Sequence, residues 1–373
     1  MKEISEQKHG GNLKKIQRDL KLTNSNLIDF SANINPLGMP ELFKHIIIEN
    51  LAEIEKYPDY TYSDLKLALS NLYNFNEKSI IIGNGAEELI HQMMSILPQN
   101  IVIIEPTFSE YRKAAQNHNK NILTYILNEN DHFIFSEDSF FNFINCQSFV
   151  HKEQGVDGYQ GAVFLCNPNN PTGQFINKKK IESLAKFLQE RNILLILDES
   201  FIEFMNNSEV HSMLGEIKYN NLMIIRSLTK FYAIPGLRLG FCKISDHKLK
   251  DDFERLQSTW NINTFAVLCG ESINQLNDYR IESINYYQKG KIKLQRSLEK
   301  YNELQIYPSY VNFFLIKCSK INLYEALLSH GIIIRSCSNF IGLDNSYSRI
   351  AVRTTSEIEK LINCMEVIMK NYG

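Results

Sequence analysis

Short apolar runs along the chain alternate with longer stretches in which apolar side chains recur at helical spacing. In 63–74, Leu65, Leu69 and Leu72 share a helical face, and in 86–97 Leu89, Ile90, Met93, Met94 and Leu97 do the same. Ile181, Leu184, Ala185 and Leu188 repeat the pattern over 178–191. Around these helices lie strand candidates at 80–82, 101–104, 122–126, 162–166, 193–197, 222–226 and 239–243, most of them apolar at consecutive positions. A strand that is apolar on both faces must be covered on both. The pattern therefore predicts an α/β fold with a mostly parallel central sheet between helices. Near residue 260 the pattern changes. A long amphipathic helix is expected over 278–301, then strands at 312–317, 332–335 and 349–352 and helices at 321–329 and 356–370. These make a smaller α+β unit. Residues 1–35 show little periodicity and read as an arm. The expected division is an arm at 1–35, a large domain at 36–260 and a small C-terminal domain at 261–373.

Composition narrows the function. Of 373 residues, 44% are hydrophobic and 22% charged, ordinary values for a globular protein. Lys plus Arg is 40 against 42 Asp plus Glu, a net charge of -2, which gives no electrostatic case for binding nucleic acid or a membrane surface. No apolar run approaches 18 residues, and the polar start MKEISEQKHGGN lacks the apolar middle of a signal peptide. A cytoplasmic location is expected. Seven scattered cysteines with no C-x-x-C indicate neither a disulfide framework nor a zinc site.

In an open α/β sheet, ligands bind at the carboxyl ends of the strands. After 80–82 come Gly83-Asn84-Gly85-Ala86-Glu87 and then a helix. Such a turn offers backbone N–H groups to a phosphate, although a plain tight turn would also explain its glycines. No Gly-Lys-Ser/Thr follows, so it is not a P-loop. After 162–166 comes Asn167-Pro168-Asn169-Asn170-Pro171-Thr172-Gly173, a forced turn rich in asparagine. After 193–197 comes Asp198-Glu199-Ser200-Phe201. An acid at the end of an apolar strand needs a partner, and a cationic ring nitrogen, a helix cap or an internal salt bridge would each serve. After 222–226, Ser227-Leu228-Thr229-Lys230 leads to Pro235-Gly236-Leu237-Arg238-Leu239-Gly240. A lysine in a partly apolar site near an arginine has a lowered pKa and makes a good Schiff-base nucleophile. Phosphate cradle, asparagine, carboxylate, lysine and arginine match pyridoxal 5'-phosphate group by group.

At these separations the motifs resemble the fold type I pyridoxal-phosphate transferases, and within them the histidinol-phosphate aminotransferase branch. The resemblance runs from His9 to the C-terminal helix. It implies that Lys230 carries the cofactor and that Asp198 pairs with its ring nitrogen. It places Asn170 on the phenolic oxygen and Phe108 against the ring. Ser227, Thr229, Arg238 and the amides of Gly85, Ala86 and Glu87 would hold the phosphate. Tyr57 would reach the cofactor of the neighbouring subunit in a homodimer.

Three features resemble the threonine-phosphate decarboxylases of cobalamin biosynthesis more than the aminotransferases. They are His9-Gly10-Gly11-Asn12, the segment Asp29-Phe30-Ser31-Ala32-Asn33-Ile34-Asn35-Pro36-Leu37-Gly38, and Phe201 where the aminotransferases usually have tyrosine. By this resemblance His9, Gly10, Gly11, Asn12, Asn33, Arg335 and Arg349 bind a small phosphorylated amino acid. Planar guanidinium forks suit a substrate bearing both carboxylate and phosphate. Arg353 has a surface salt bridge as its alternative. The implied reaction is decarboxylation of L-threonine O-3-phosphate to (R)-1-amino-2-propanol phosphate for the cobalamin nucleotide loop. Decarboxylation of L-serine O-phosphate to ethanolamine phosphate and a histidinol-phosphate-type aminotransferase are the alternatives. The bond that breaks is the one held perpendicular to the cofactor ring, so placement of the substrate's anions chooses between lyase and transferase.

Overall fold

The computed structural model describes residues 10–19, 21, 27–147, 158–215 and 218–370. Its strands, in chain order, are β1 (Ile28–Asp29), β2 (Ile80–Gly83), β3 (Asn100–Glu105), β4 (Asn121–Ile126), β5 (Gly161–Cys166), β6 (Ile193–Asp198), β7 (Leu222–Ser227), β8 (Gly240–Ile244), β9 (Leu304–Ile306), β10 (Phe313–Cys318), β11 (Ile332–Ile333), β12 (Arg335–Ser336) and β13 (Tyr347–Ala351). Seven of them form one sheet in the order β2-β8-β7-β6-β5-β3-β4. Only β8 runs antiparallel to its neighbours.

Alternate side chains of these strands feed two apolar clusters. Ile101, Ile103, Ala162, Phe164, Leu194, Ile196, Met223 and Ile225 pack on one face with helices Ala86–Met93 and Glu110–Asn117. Val102, Ile104, Val163, Leu165, Leu195, Leu197 and Ile224 pack on the other with helix Lys178–Gln189. This two-sided burial is why the strands read as continuous apolar runs.

Sheet order also locates a cleft. The chain runs from β3 outward to β4 and returns to add β5 on the other side of β3. The connections leaving the carboxyl ends of β3 and β5 therefore part at this point, which opens a crevice.

A 22-residue helix, Asn277–Leu298, leads to an antiparallel sheet of order β12-β13-β10-β9. The strand expected over 332–335 is two strands in different sheets. Ile332 and Ile333 pair in parallel with β1, whereas Arg335 and Ser336 pair with β13. The segment expected to be a plain arm carries a helix at Leu13–Asp19 and β1, because Ile16 and Phe30 find apolar cover. Phe30 bridges the two C-terminal sheets: its N–H donates to the Ile333 carbonyl at 2.7 Å and its carbonyl accepts from Ala351 N–H at 2.9 Å. The helix expected over 86–97 ends at Met93.

Candidate active site

Strand register brings the first cluster together. Gly240 at the start of β8 lies opposite both Gly83 and Ser227. A Cβ at Gly240 would stand 2.7 Å from the Ala86 nitrogen, so only glycine lets this strand meet the helix start. Gly85 holds φ 81° and ψ 162°. Its N–H donates to the Gly83 carbonyl at 2.7 Å. Of the three amides expected at the phosphate, those of Ala86 and Glu87 remain without an acceptor among the described residues. Arg238 arches over this turn. A Cβ on Gly85 would lie 2.4 Å from its Nη2, and the Glu87 carboxylate is 3.9 Å from the same atom. Ser227 and Thr229 are buried with their hydroxyl oxygens 2.8 Å apart.

Lys230 donates from Nζ to Ser227 Oγ at 3.3 Å. Burial lowers its pKa to about 8; Asp198 and Glu87 pull it upward, while Arg238 and Arg349 push it down. One amine thus lies within electrostatic reach of four groups expected in one site. Lys291 is also lowered to about 8 by burial, but its ammonium is bound to the Ser309 carbonyl at 2.6 Å. Lys230 is the amine that stands partly open to the cleft.

Asp198 ends β6 and is 4% exposed. Its Oδ2 accepts from the Tyr111 hydroxyl at 2.6 Å and its Oδ1 from Ser200 N–H at 2.9 Å. Burial, reinforced by the Asp198 charge, pushes the Tyr111 phenol well above its ordinary value, so it remains a donor. These two donors hold the Asp198 carboxyl group in place at the end of its strand. Tyr111 was not among the expected residues. It lies one helical turn beyond Phe108, whose ring meets it edge-on at 5.7 Å.

The three asparagines after β5 divide their tasks. Asn167 closes its own loop by two bonds to Ile176. Asn169 bonds Pro106, Thr107 and Thr172, tying this loop to the one after β3. Asn170 reaches the small C-terminal sheet instead: its Oδ1 accepts from Arg349 Nη1.

Arg349 is 6% exposed, lies over the Phe313 ring at 5.3 Å, and donates from Nη2 to the Ser31 carbonyl at 2.7 Å. Burial lowers its pKa to about 9, and neighbouring Arg335 lowers it further. Its Nε is buried with no partner. Arg335 lies directly opposite Arg349 in the β12–β13 pair and donates from Nη2 to Asn339 Oδ1 at 2.7 Å. Two adjacent buried cations, one with an idle N–H, suit an anionic ligand.

The arm reaches the same place. Gly11 N–H donates to Ser31 Oγ at 2.9 Å, and a Cβ on Gly10 would stand 2.2 Å from the Ser31 carbonyl oxygen. Asn12 caps helix Leu13–Asp19 by accepting from Lys15 N–H at 3.1 Å. Asn33 is 5% exposed, with its Oδ1 buried and unpartnered. His9 lies outside the described residues. Arg353 takes the ion-pair alternative, 3.3 Å from Glu357. Tyr57 is 78% exposed and stacks on Trp260, with ring centroids 4.4 Å apart.

The profile of the family "Aminotransferase class I and II" matches residues 25–364. The chain belongs to this family. Family members are pyridoxal-phosphate enzymes, and the cradle, the paired carboxylate and the open amine described above fit that cofactor. Among similar proteins is the threonine-phosphate decarboxylase of Salmonella typhimurium strain LT2, 34% identical over 365 residues, which span 97% of this chain and 96% of that protein. The crystal structure of the histidinol-phosphate aminotransferase from Clostridium acetobutylicum superposes with a TM-score of 0.83 at 33% identity, covering 92% of this chain and 100% of that one. The histidinol-phosphate aminotransferase of Sinorhizobium meliloti, solved with pyridoxal-5'-phosphate, gives a TM-score of 0.83 at 19% identity, over 96% of this chain and 95% of that one; it bears on the fold. Among the described residues no helix is long and apolar enough to cross a membrane.

Proposed function

We propose that this family member is a carboxy-lyase acting on an amino acid that carries an O-phosphate, foremost L-threonine O-3-phosphate, to give (R)-1-amino-2-propanol phosphate. The observation that carries the reading is the cation pair Arg335 and Arg349 on facing strand positions, with Gly10 and Gly11 docked on the residue whose carbonyl holds Arg349. The relative at 34% identity over nearly the whole chain supports the same choice.

In this reading Lys230 carries the cofactor, Asp198 faces its ring nitrogen, Asn170 its phenolic oxygen and Phe108 its ring face. Ser227, Thr229, Arg238 and the helix-start amides take its phosphate. When bound, the cofactor supplies an electron sink for the bond broken at the substrate's α-carbon. The protein's own part is to hold Asp198 in place with the Tyr111 hydroxyl and Ser200 N–H, to keep Lys230 deprotonatable near neutral pH, and to fix the substrate by two arginines. Residues beyond 260 supply both arginines, which favours treating them as a separate small domain. Within 48–60 the large apolar side chains Ile48, Leu51, Ile54, Tyr57 and Tyr60 are all exposed, which supports a homodimer in which Tyr57 completes the neighbouring site. Seven free thiols agree with a cytoplasmic location.

The similarity to an aminotransferase structure at 33% identity favours transamination of histidinol phosphate as the second reading. Purified enzyme is incubated separately with phosphothreonine, phosphoserine and histidinol phosphate, the last with a 2-oxo acid, and CO2 and product amine are measured. CO2 and aminopropanol phosphate without any 2-oxo acid are expected from phosphothreonine. Turnover that requires the 2-oxo acid and releases no CO2 would reverse the assignment.

A further inference from the structure

The loop after β7 is conformationally unfavourable in two places. Ala233 (φ 51°) and Arg238 (φ 59°) lie in the left-handed region although neither is glycine. Such conformers persist only where the surroundings over-determine them. The bonds that hold the start of this loop come from distant parts of the chain. Asn35 donates its main-chain N–H to the Lys230 carbonyl at 3.0 Å. Its Nδ2 donates to the Phe231 carbonyl at 2.8 Å and lies 2.8 Å from Ser283 Oγ. Its Oδ1 accepts from Leu37 N–H at 3.0 Å. The Tyr279 hydroxyl is 3.0 Å from the same Phe231 carbonyl and 2.8 Å from the Gly38 carbonyl, and its single proton serves one of them at a time. Asn35 is 1% exposed and Ser283 0%. The polar atoms of Asn35 are therefore spent on protein partners, and two successive carbonyls of the lysine loop are what they grip.

We propose that Asn35, backed by Tyr279 and Ser283, is a positioning residue that pins the main chain of Lys230 so that its amine is presented beside Ser227. The proposal rests on Lys230 being the lysine that carries the cofactor. Asn35 acts through the peptide on the carboxyl side of Lys230. Without it the loop can relax its two left-handed residues, and the amine drifts toward water, where it is protonated more readily. Asn35 also lies four residues after Ser31, whose carbonyl holds Arg349. One short segment thereby fixes the distance between the amine and the anion-binding arginine.

The test compares wild type with Asn35→Ala and Tyr279→Phe, both as reconstituted holoenzyme and as apoprotein. Three quantities are read: the rate at which pyridoxal phosphate attaches to the apoprotein, the pH midpoint at which the bound cofactor changes colour, and the thermal unfolding temperature. Attachment at least tenfold slower and a midpoint displaced by half a pH unit or more are expected for Asn35→Ala, with a smaller change of the same sign for Tyr279→Phe. Wild-type rate and midpoint in folded variants would overturn the proposal. If Asn35→Ala does not fold, Tyr279→Phe decides, because it removes only a hydroxyl. Borohydride fixation followed by peptide mapping separates the two levels of the argument. Label on another lysine overturns the reading of the active site itself. Label on Lys230 with unchanged rate and midpoint overturns only the role of Asn35.

Discussion

One methyl group, added by Gly85→Ala, tests the phosphate cradle. Gly85 sits at φ 81° and ψ 162°, a region entered almost only by glycine. Forcing alanine there costs of order 1–3 kcal/mol of stability. The added carbon would lie 2.4 Å from Nη2 and 2.8 Å from Cζ of Arg238. That guanidinium ends a flexible side chain, 37% exposed, so it swings aside and the sheet stays in place. Losing one hydrogen bond between charged groups costs about 1.5–3 kcal/mol. Cofactor affinity should therefore fall roughly 10- to 100-fold. Gly158→Ala is the control: Gly158 has φ 84° and open space around its missing Cβ, so it carries the conformational cost alone. Both apoproteins are unfolded in urea and titrated with pyridoxal phosphate. Both variants should lose stability, and only Gly85→Ala should lose affinity. Affinity within twofold of wild type in a folded Gly85→Ala protein would refute the cradle.

Two further outcomes follow from titration. Burial holds the Lys230 pKa near 8 in the apoprotein, so the rate of cofactor attachment should climb up to that pH and level off above about 9; a stopped-flow rate still rising at pH 10 would contradict a desolvated amine. Glu129 is held down to about 2, first by Lys317 and then by the Tyr347 and Tyr307 hydroxyls. A carboxylate lowered in the folded state stabilises it above the ordinary carboxylate range, and the contribution fades as pH falls toward 2. At 35% exposure water screens the pair, so Glu129→Gln should cost ~1 kcal/mol at pH 7 and nothing at pH 2 in urea melts.

The parallel strands and the motifs at their ends were legible because both depend on local order. An apolar run buried on two faces looks the same wherever it sits in the sheet, and a glycine or lysine at its end keeps its place. Tyr111 and Asn35 escaped because their partners are distant in sequence: Tyr111 meets Asp198 and Asn35 meets Phe231 only in three dimensions. Nothing in the string NPNNPTG says how the three asparagines divide their partners; the bonds from Asn167 to Ile176, from Asn169 to Pro106 and from Arg349 to Asn170 exist only in three dimensions. Residues 332–335 read as one strand since Ile332, Ile333 and Ile334 are all buried, and a change of sheet partner leaves no mark on hydrophobicity.

The bond from Arg349 to Ser31 joins residues 318 positions apart. During synthesis the cradle, the carboxylate and the lysine all emerge before either arginine does. The N-terminal strand must then wait for β11 and β13, so contacts of this sequence separation form last. A chain extended past residue 245 but short of 330 would carry the seven-stranded sheet and the turn under Arg238 without either Arg335 or Arg349. The buried setting of Arg349 is, on this chain, a property acquired only when its two ends meet.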